Sequence, residues 1–245
     1  MKEINKQKIG ILRQRVPIGF SHGLTVLEKT NGDIDAAEII FKDEVLQIVF
    51  NKTGIAKDVA QKHLINSNYD IPATLKSIDE ERFTLTELIY RRYKDKENAL
   101  AKVVHVVEIH YNIQGPTESW LYFKTLSDLL PEIFCPLAIM RWLTYEEYES
   151  FGVALCFELD TVTDLIENVL KLAPLASSLR EARDIQEIIY RENAVVGNIE
   201  NYIKANNELR KNKAYQKCEN NYYDQKNLLI ETLYDFVKVN INKFP

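Results

Sequence analysis

Residues 31–41, NGDIDAAEIIF, decide how the first third of the chain folds, and residues 68–78, NYDIPATLKSI, say nearly the same thing 37 positions later. Alone, Asn31-Gly32 signals a β-hairpin turn, but apolar residues do not alternate on either side as paired strands require. Instead an acidic residue comes next, and then an apolar run at helical spacing. Asp33 and Asp70 each stand where a side-chain oxygen can accept from the free N–H groups of a first helical turn, a contribution of about 1 kcal/mol apiece. The reading is helix–turn–helix, made twice.

On either side of these stretches, a gapless shift of 37 residues brings Ile9 over Leu46, Ile11 over Ile48, Leu12 over Val49 and Ile18 over Ile55. The register continues with Gly23 over Ala60, Leu27 over Leu64, Asp33 over Asp70 and Ala36 over Ala73. Apolar falls on apolar, small on small and cap on cap, which is the signature of an internal repeat. Each unit parses into three short helices, near 4–15, 20–29 and 33 onward in the first, and near 43–51, 56–66 and 70–82 in the second. No breaker interrupts Asp33 to Asn51, so the third helix of the first unit is expected to run on into the first helix of the second.

These residues carry a resemblance. The second unit, with Thr53-Gly54-Ile55 in its first loop, Lys62 and Leu64 in its second helix, and Asn68, Asp70 and Ile71 at the third, resembles the N-terminal three-helix domain of bacterial elongation factor Ts. More broadly it is similar to ubiquitin-associated (UBA) domains. The first unit has the same pattern with Val16-Pro17-Ile18 in the loop, and Ile18-Gly19-Phe20 looks like the Met-Gly-Phe loop of UBA members. The resemblance covers residues 4–82. Residues 85–245 hold no counterpart of the nucleotide-displacing core of elongation factor Ts, so exchange-factor activity is not implied. In modules of this kind partners meet the loop after helix one and the end of helix three. Carried over, that nominates Ile18, Gly19, Phe20 and Phe41 in the first unit, and Gly54, Ile55 and Ile78 in the second.

Composition points the same way. The 8 glycines and 7 prolines among 245 residues fall well below the roughly 12% of average usage, so the breakers that punctuate sheets are scarce. Beyond Arg82, TLTELIYRRY, NALAKVVHVVEIHY, SWLYFKTLSDLL and PEIFCPLAIMRWL all place apolar residues at helical spacing, and the pattern holds to DQKNLLIETLYDFVKVNI. Thr84 is a natural cap just after the change of character at residues 79–86, Thr117 and Glu118 after Gly115-Pro116 mark another start, and Pro131 suits a first turn. The fold class is all-α: two UBA-like three-helix units in tandem (about 4–41 and 41–82, within a domain 1–82), then a helical bundle at 83–245. The bundle itself resembles no family.

With 31 basic against 36 acidic residues there is no global field to draw a polyanion, which argues against a nucleic-acid partner. The N-terminus MKEINKQKIGILRQR has no apolar core of a signal peptide, and the most apolar windows are broken by Arg141, Glu158 or Asp160 before the ~20 residues of a membrane span. A soluble cytoplasmic protein is expected. Cys135 and Cys156 sit in apolar runs and are read as packed; with Cys218 they make an odd set without metal-ligand spacing. Trp120, Tyr122, Phe123, Trp142, Tyr145 and Tyr148 are read as bundle core, against an alternative as an aromatic groove.

No catalytic motif is present. His105, Glu108 and His110 form the only local His/carboxylate cluster, but His110 is turned about 140° from His105 on a helix, unlike HExxH ligands. Glu158, Asp160, Asp164 and Glu167 come at spacings that put some of them on a shared helix face, but without the Glu-x-x-His of di-metal bundles, and read as a solvated face. The tail NNELRKNKAYQKCENNYYDQK mixes aromatics, amides and charges of both signs and reads as a helical hairpin tip rather than a nucleic-acid platform. No metal and no cofactor are expected. The function read from the sequence is a non-catalytic interaction protein that binds a partner protein through its UBA-like units. Two alternatives stay open: a translation-associated factor that binds an elongation GTPase or ribosome, and an enzyme whose pocket in the bundle gathers several of Glu146, Glu149, Asp160, Asp164 and His105.

Overall fold

The computed structural model describes residues 2–113, 123–126, 128–193 and 198–245, without the side chains of 2–6, 124 and 125. The sequence-predicted start at Gly115 to Glu118 and the aromatics Trp120 and Tyr122 lie outside them. Among the described residues the fold is all-α, with thirteen α-helices and no strand. The chain divides into two compact units between Phe83 and Thr84.

The N-terminal unit holds α1 (Lys2–Arg15), α2 (Phe20–Lys29), α3 (Ile34–Thr53), α4 (Lys57–Asn66) and α5 (Ile71–Arg82). Asp33 caps α3 by accepting from the Ala36 N–H at 3.1 Å, and Asp70 caps α5 by accepting from the Ala73 N–H at 2.7 Å. The turns before them match bond for bond. Thr30, Asn31, Gly32 and Asp33 donate to the carbonyls of Val26, Glu28, Leu27 and Thr30; Ser67, Asn68, Tyr69 and Asp70 donate to those of His63, Ile65, Leu64 and Ser67. Both turns need two residues in the left-handed region, Asn31 and Gly32 in one, Asn68 and Tyr69 in the other. A tyrosine there costs about 1–2 kcal/mol. Its side chain offsets the strain, since the Tyr69 hydroxyl accepts from Gln61 Nε2 at 2.7 Å and the Lys42 ammonium stands 5.0 Å from the ring centre.

Helix α3 is continuous for 20 residues, as the unbroken sequence from Asp33 predicts. It stops where Gly54 takes a left-handed φ of 65° and donates to the Phe50 carbonyl. The core gathers Leu12, Val26, Leu27, Ala37, Val49, Ala60 and Leu64, so the aligned pairs Leu12/Val49, Leu27/Leu64 and Gly23/Ala60 are all buried. A Cβ on Gly23 would run into Ile9 Cδ1, itself enclosed. Gly23→Val is therefore expected to destabilise the N-terminal unit by about 2 kcal/mol through overpacking, even after its gain in helix propensity. Urea unfolding of this variant at wild-type stability would show that the α1–α2 approach is looser than described.

The C-terminal unit opens with α6 (Leu85–Arg92), whose capping box pairs Thr84 with Glu87, and α7 (Lys96–His110). After a 3-10 turn at Phe123–Leu126 comes α8 (Pro131–Tyr148), sheathed on nearly every side from Ile133 to Leu143. Short helices α9 (Phe151–Ala154) and α10 (Leu159–Asp164) come next, the latter passing into a π turn at Leu165–Val169. Three long helices, α11 (Ala173–Asn193), α12 (Ile199–Lys211) and α13 (Lys213–Val239), complete the bundle. Asn212 alone joins α12 to α13, and its side chain caps the second by accepting from the Tyr215 N–H at 3.0 Å. The last helix thus begins well before DQKNLLIETLYDFVKVNI. Trp142 and Phe123 pack in the core as expected, Tyr145 is half-buried, and Tyr148 is 83% exposed because it faces out at the end of α8.

Candidate functional site

In the C-terminal unit α9, α11, α12 and α13 enclose a cleft of about 690 Å³. Helix α13 supplies Tyr215, Glu219 and Tyr223, spaced four apart so that a carboxylate stands between two phenol rings on one face. From α12 come Tyr202, Asn206, Leu209 and Arg210, from α11 Gln186 and Tyr190, and from the α8–α10 segment Phe151, Gly152, Cys156 and Phe157.

The walls are fixed by hydrogen bonds. Gln186, only 6% exposed, donates through Nε2 to the Gly152 carbonyl at 2.9 Å and to Cys156 Sγ at 3.2 Å. Tyr215 reaches its Oε1 at 3.5 Å, a long bond. A Cβ on Gly152 would press on both groups, at 3.0 Å from the Tyr215 hydroxyl and 3.2 Å from Gln186 Oε1. The Tyr190 hydroxyl donates to Asn206 Oδ1 at 2.6 Å and ties α11 to α12.

Beneath α13 lies Glu146, 4% exposed, which accepts from the hydroxyls of Tyr222 at 2.8 Å and Tyr223 at 3.0 Å and from Lys226 Nζ at 2.9 Å. One buried charge is thereby matched, and the Tyr223 ring is pinned at the rim. Burial, with Glu146 nearby, pushes the Tyr223 phenol up to about 12 and that of Tyr222 further. Desolvation and then Glu146 also raise Glu219, which is half-buried and, among the described residues, has no ion-pair partner. Burial raises the Cys156 thiol as well, which leaves it a poor nucleophile.

The carboxylates singled out for enzymatic chemistry do not gather in one cavity. Asp160 pairs with Arg183 at 2.5 Å, while Arg180 holds Asp164 at 2.8 Å and Glu167 at 2.5 Å, so this face is an ion-pair ladder between α10, the π turn and α11. Among the described residues the Glu158 carboxylate takes only a 3.4 Å bond, from Thr161. Glu108 turns from the two histidines to Arg141, whose buried guanidinium donates to it at 2.7 and 3.0 Å, and His105 and His110 are exposed. Among the described residues no cluster of His, Cys, Asp or Glu is placed to hold a metal ion, and no helix is long and apolar enough to cross a membrane. Cys135 is buried as expected; Cys156 is not, because it comes just after the end of α9 and lines the cleft.

The seven residues nominated for partner binding do not form one surface. Ile18, Phe41 and Ile78 are core residues of the N-terminal unit, with no side-chain surface to offer, and Ile55 is half-buried against the same core. Their correction has one cause: each carries its apolar side chain inward to seal helices that are too short to be stable alone. Gly19, Phe20 and Gly54 remain at the surface.

The whole cleft falls within residues 84–242, which match the family described as YfbN C-terminal domain. The chain belongs to the YfbN C-terminal domain family. This corrects the reading of the bundle as resembling no family. Escherichia coli (strain K12) has a relative, described as uncharacterized protein YfbN, that is 31% identical over 172 residues, 70% of this chain and 71% of that protein. No solved structure matches. The YfbN C-terminal domain here therefore contains every cleft residue, and the N-terminal unit lies outside the matched segment. The sequence carried one signal of the site, the Tyr215, Glu219, Tyr223 stripe; the other walls come from segments far apart in the chain.

Proposed function

We propose that the chain is a non-catalytic interaction protein of the cytoplasm whose N-terminal unit, two UBA-like three-helix units in tandem, binds a partner protein. The observation that carries this reading is a pair. Ile11 on α1 and Ile48 on α3 stand 37 residues apart, and each is large, apolar and open to solvent, at 45% and 41% exposure, beside the fully buried Leu12 and Val49. A single exposed isoleucine needs no explanation, but the same exposure at the same place in two like turns of structure is a patterned surface. Phe20, exposed at the start of α2, adds an aromatic to the first unit.

Replacing both isoleucines by glutamate keeps helix propensity and touches no core. The Ile11→Glu/Ile48→Glu protein is expected to keep its melting temperature within a few degrees and to lose at least tenfold of a stoichiometric partner captured by the wild type from native lysate, read by mass spectrometry. A folded double variant that captures the same partner in the same yield would overturn the proposal. Capture of an elongation GTPase would place the partner in translation.

A further inference from the structure

The charges around the cleft are matched within the fold: Glu146 by Lys226, Asp160 by Arg183, Asp164 and Glu167 by Arg180. Two charges that line it are not. Glu219 and Arg210 have no ion-pair partner among the described residues, and they do not pair with each other. Both line the same cleft. Gln216 donates to the Arg210 carbonyl at 2.5 Å and precedes Glu219 by three residues on α13, a rise of about 4.5 Å.

Around Glu219 the groups are of the kind that receives a cation. Tyr215 and Tyr223 stand one turn either side of Glu219 on α13; Tyr215 is buried, but Tyr223 is 48% exposed, and an ammonium over an aromatic ring is attracted by its quadrupole as well as by the charge. Tyr202 and Tyr223 expose aromatic surface at the rim that an occupant would cover. Arg210 repels a simple cation and suits a carboxylate; Glu219 repels a simple anion. The volume, about 690 Å³, lies within the range of small-molecule sites.

We propose that this cleft binds a small zwitterion of amino-acid or dipeptide size, its ammonium group on Glu219 beside the Tyr223 ring and its carboxylate on Arg210. This site is separate from the surface proposed for a partner protein, and its success or failure leaves that reading untouched. Burial has already raised the Glu219 carboxyl, so an arriving ammonium recovers part of the desolvation cost that the fold leaves standing.

The test is titration calorimetry on the full chain with L-tyrosine, L-phenylalanine, L-arginine and the dipeptide glycyl-tyrosine, and then with the N-acetylated and C-amidated forms of the tightest binder. At least one probe is expected to bind with Kd below about 1 mM, and each cap is expected to weaken it about tenfold or more. Glu219→Gln removes the penalty of acetylation and keeps that of amidation; Arg210→Gln does the reverse. Neither residue is buried, and circular dichroism verifies that the variants fold. The proposal is overturned if no probe binds the wild type, or if the capped and uncapped forms bind alike.

Discussion

Replacing Glu146 by alanine is expected to destabilise the C-terminal unit by about 3–5 kcal/mol and to lower its melting temperature by about 10 °C. Three donors converge on this carboxylate; the Tyr222 hydroxyl is buried and the Lys226 side chain is 17% exposed. Truncation leaves the buried Tyr222 phenol with nothing to accept from it and Lys226, among the described residues, with only the exposed Glu147 at 3.8 Å, and that desolvation, rather than the lost bonds, sets the size of the effect. Glu146→Gln separates the parts. The amide oxygen still accepts from a tyrosine while Lys226 loses the nearer of its two countercharges, so an intermediate loss of about 1–3 kcal/mol is expected. Removing the ion pair, as Glu146→Leu with Lys226→Met, should recover part of the loss, because an apolar pair of similar volume carries no stranded charge while the Tyr222 hydroxyl still lacks its acceptor. Urea unfolding of the full chain monitored by circular dichroism reads all three. A Glu146→Ala protein within about 1 kcal/mol of wild type would mean that water reaches the cluster and the charge is not buried.

What was legible in the sequence was local. Asp33, Asp70 and Thr84 cap helices through bonds to their own first turns, so the residue type three or so positions ahead of an apolar run suffices to find them. The continuity of α3 could be read from the lack of any breaker. The left-handed Tyr69 could not be read the same way, since its strain is offset by Gln61 and Lys42 from elsewhere in the unit. Ile18, Phe41 and Ile78 show why a resemblance places residues along helices better than it places them in or out. A loop residue such as Ile18 lies at a boundary in sequence and under α2 in space. The cleft was the least legible feature. Its walls come from residues 150 to 223, and only the stripe on α13 has a spacing that shows in the sequence. Glu146 is the sharpest case: by sequence it is one of several acids after α8's apolar run, and only the approach of α13 turns it into a buried acceptor.

Alkaline pH is expected to unfold the C-terminal unit steeply, because its tyrosines are held protonated by burial. The phenols of Tyr215 and Tyr222 are pushed well above their ordinary range, first by desolvation and then by the nearby Glu219 and Glu146 respectively. Below about pH 10, the value for an unfolded tyrosine, both states hold the proton and stability is flat with respect to these groups. Above it the unfolded chain releases protons that the native state still binds. Stability then falls by about 1.4 kcal/mol per pH unit for each group, or about 3 kcal/mol per unit for the pair. Tyr90 adds to the slope, as its phenol is raised by burial and its hydroxyl donates to the Tyr234 carbonyl at 2.9 Å; Tyr223 is half-exposed and contributes less. Urea midpoints at about pH 8, 10 and 11, read by circular dichroism, measure the slope. Tyr222→Phe isolates one proton. It lowers stability near neutrality by the lost bond to Glu146 and should flatten the alkaline slope by about 1.4 kcal/mol per unit. Equal stability at about pH 8 and pH 11 in the wild type would show that these phenols reach solvent and that the aromatic layer beneath the cleft is open.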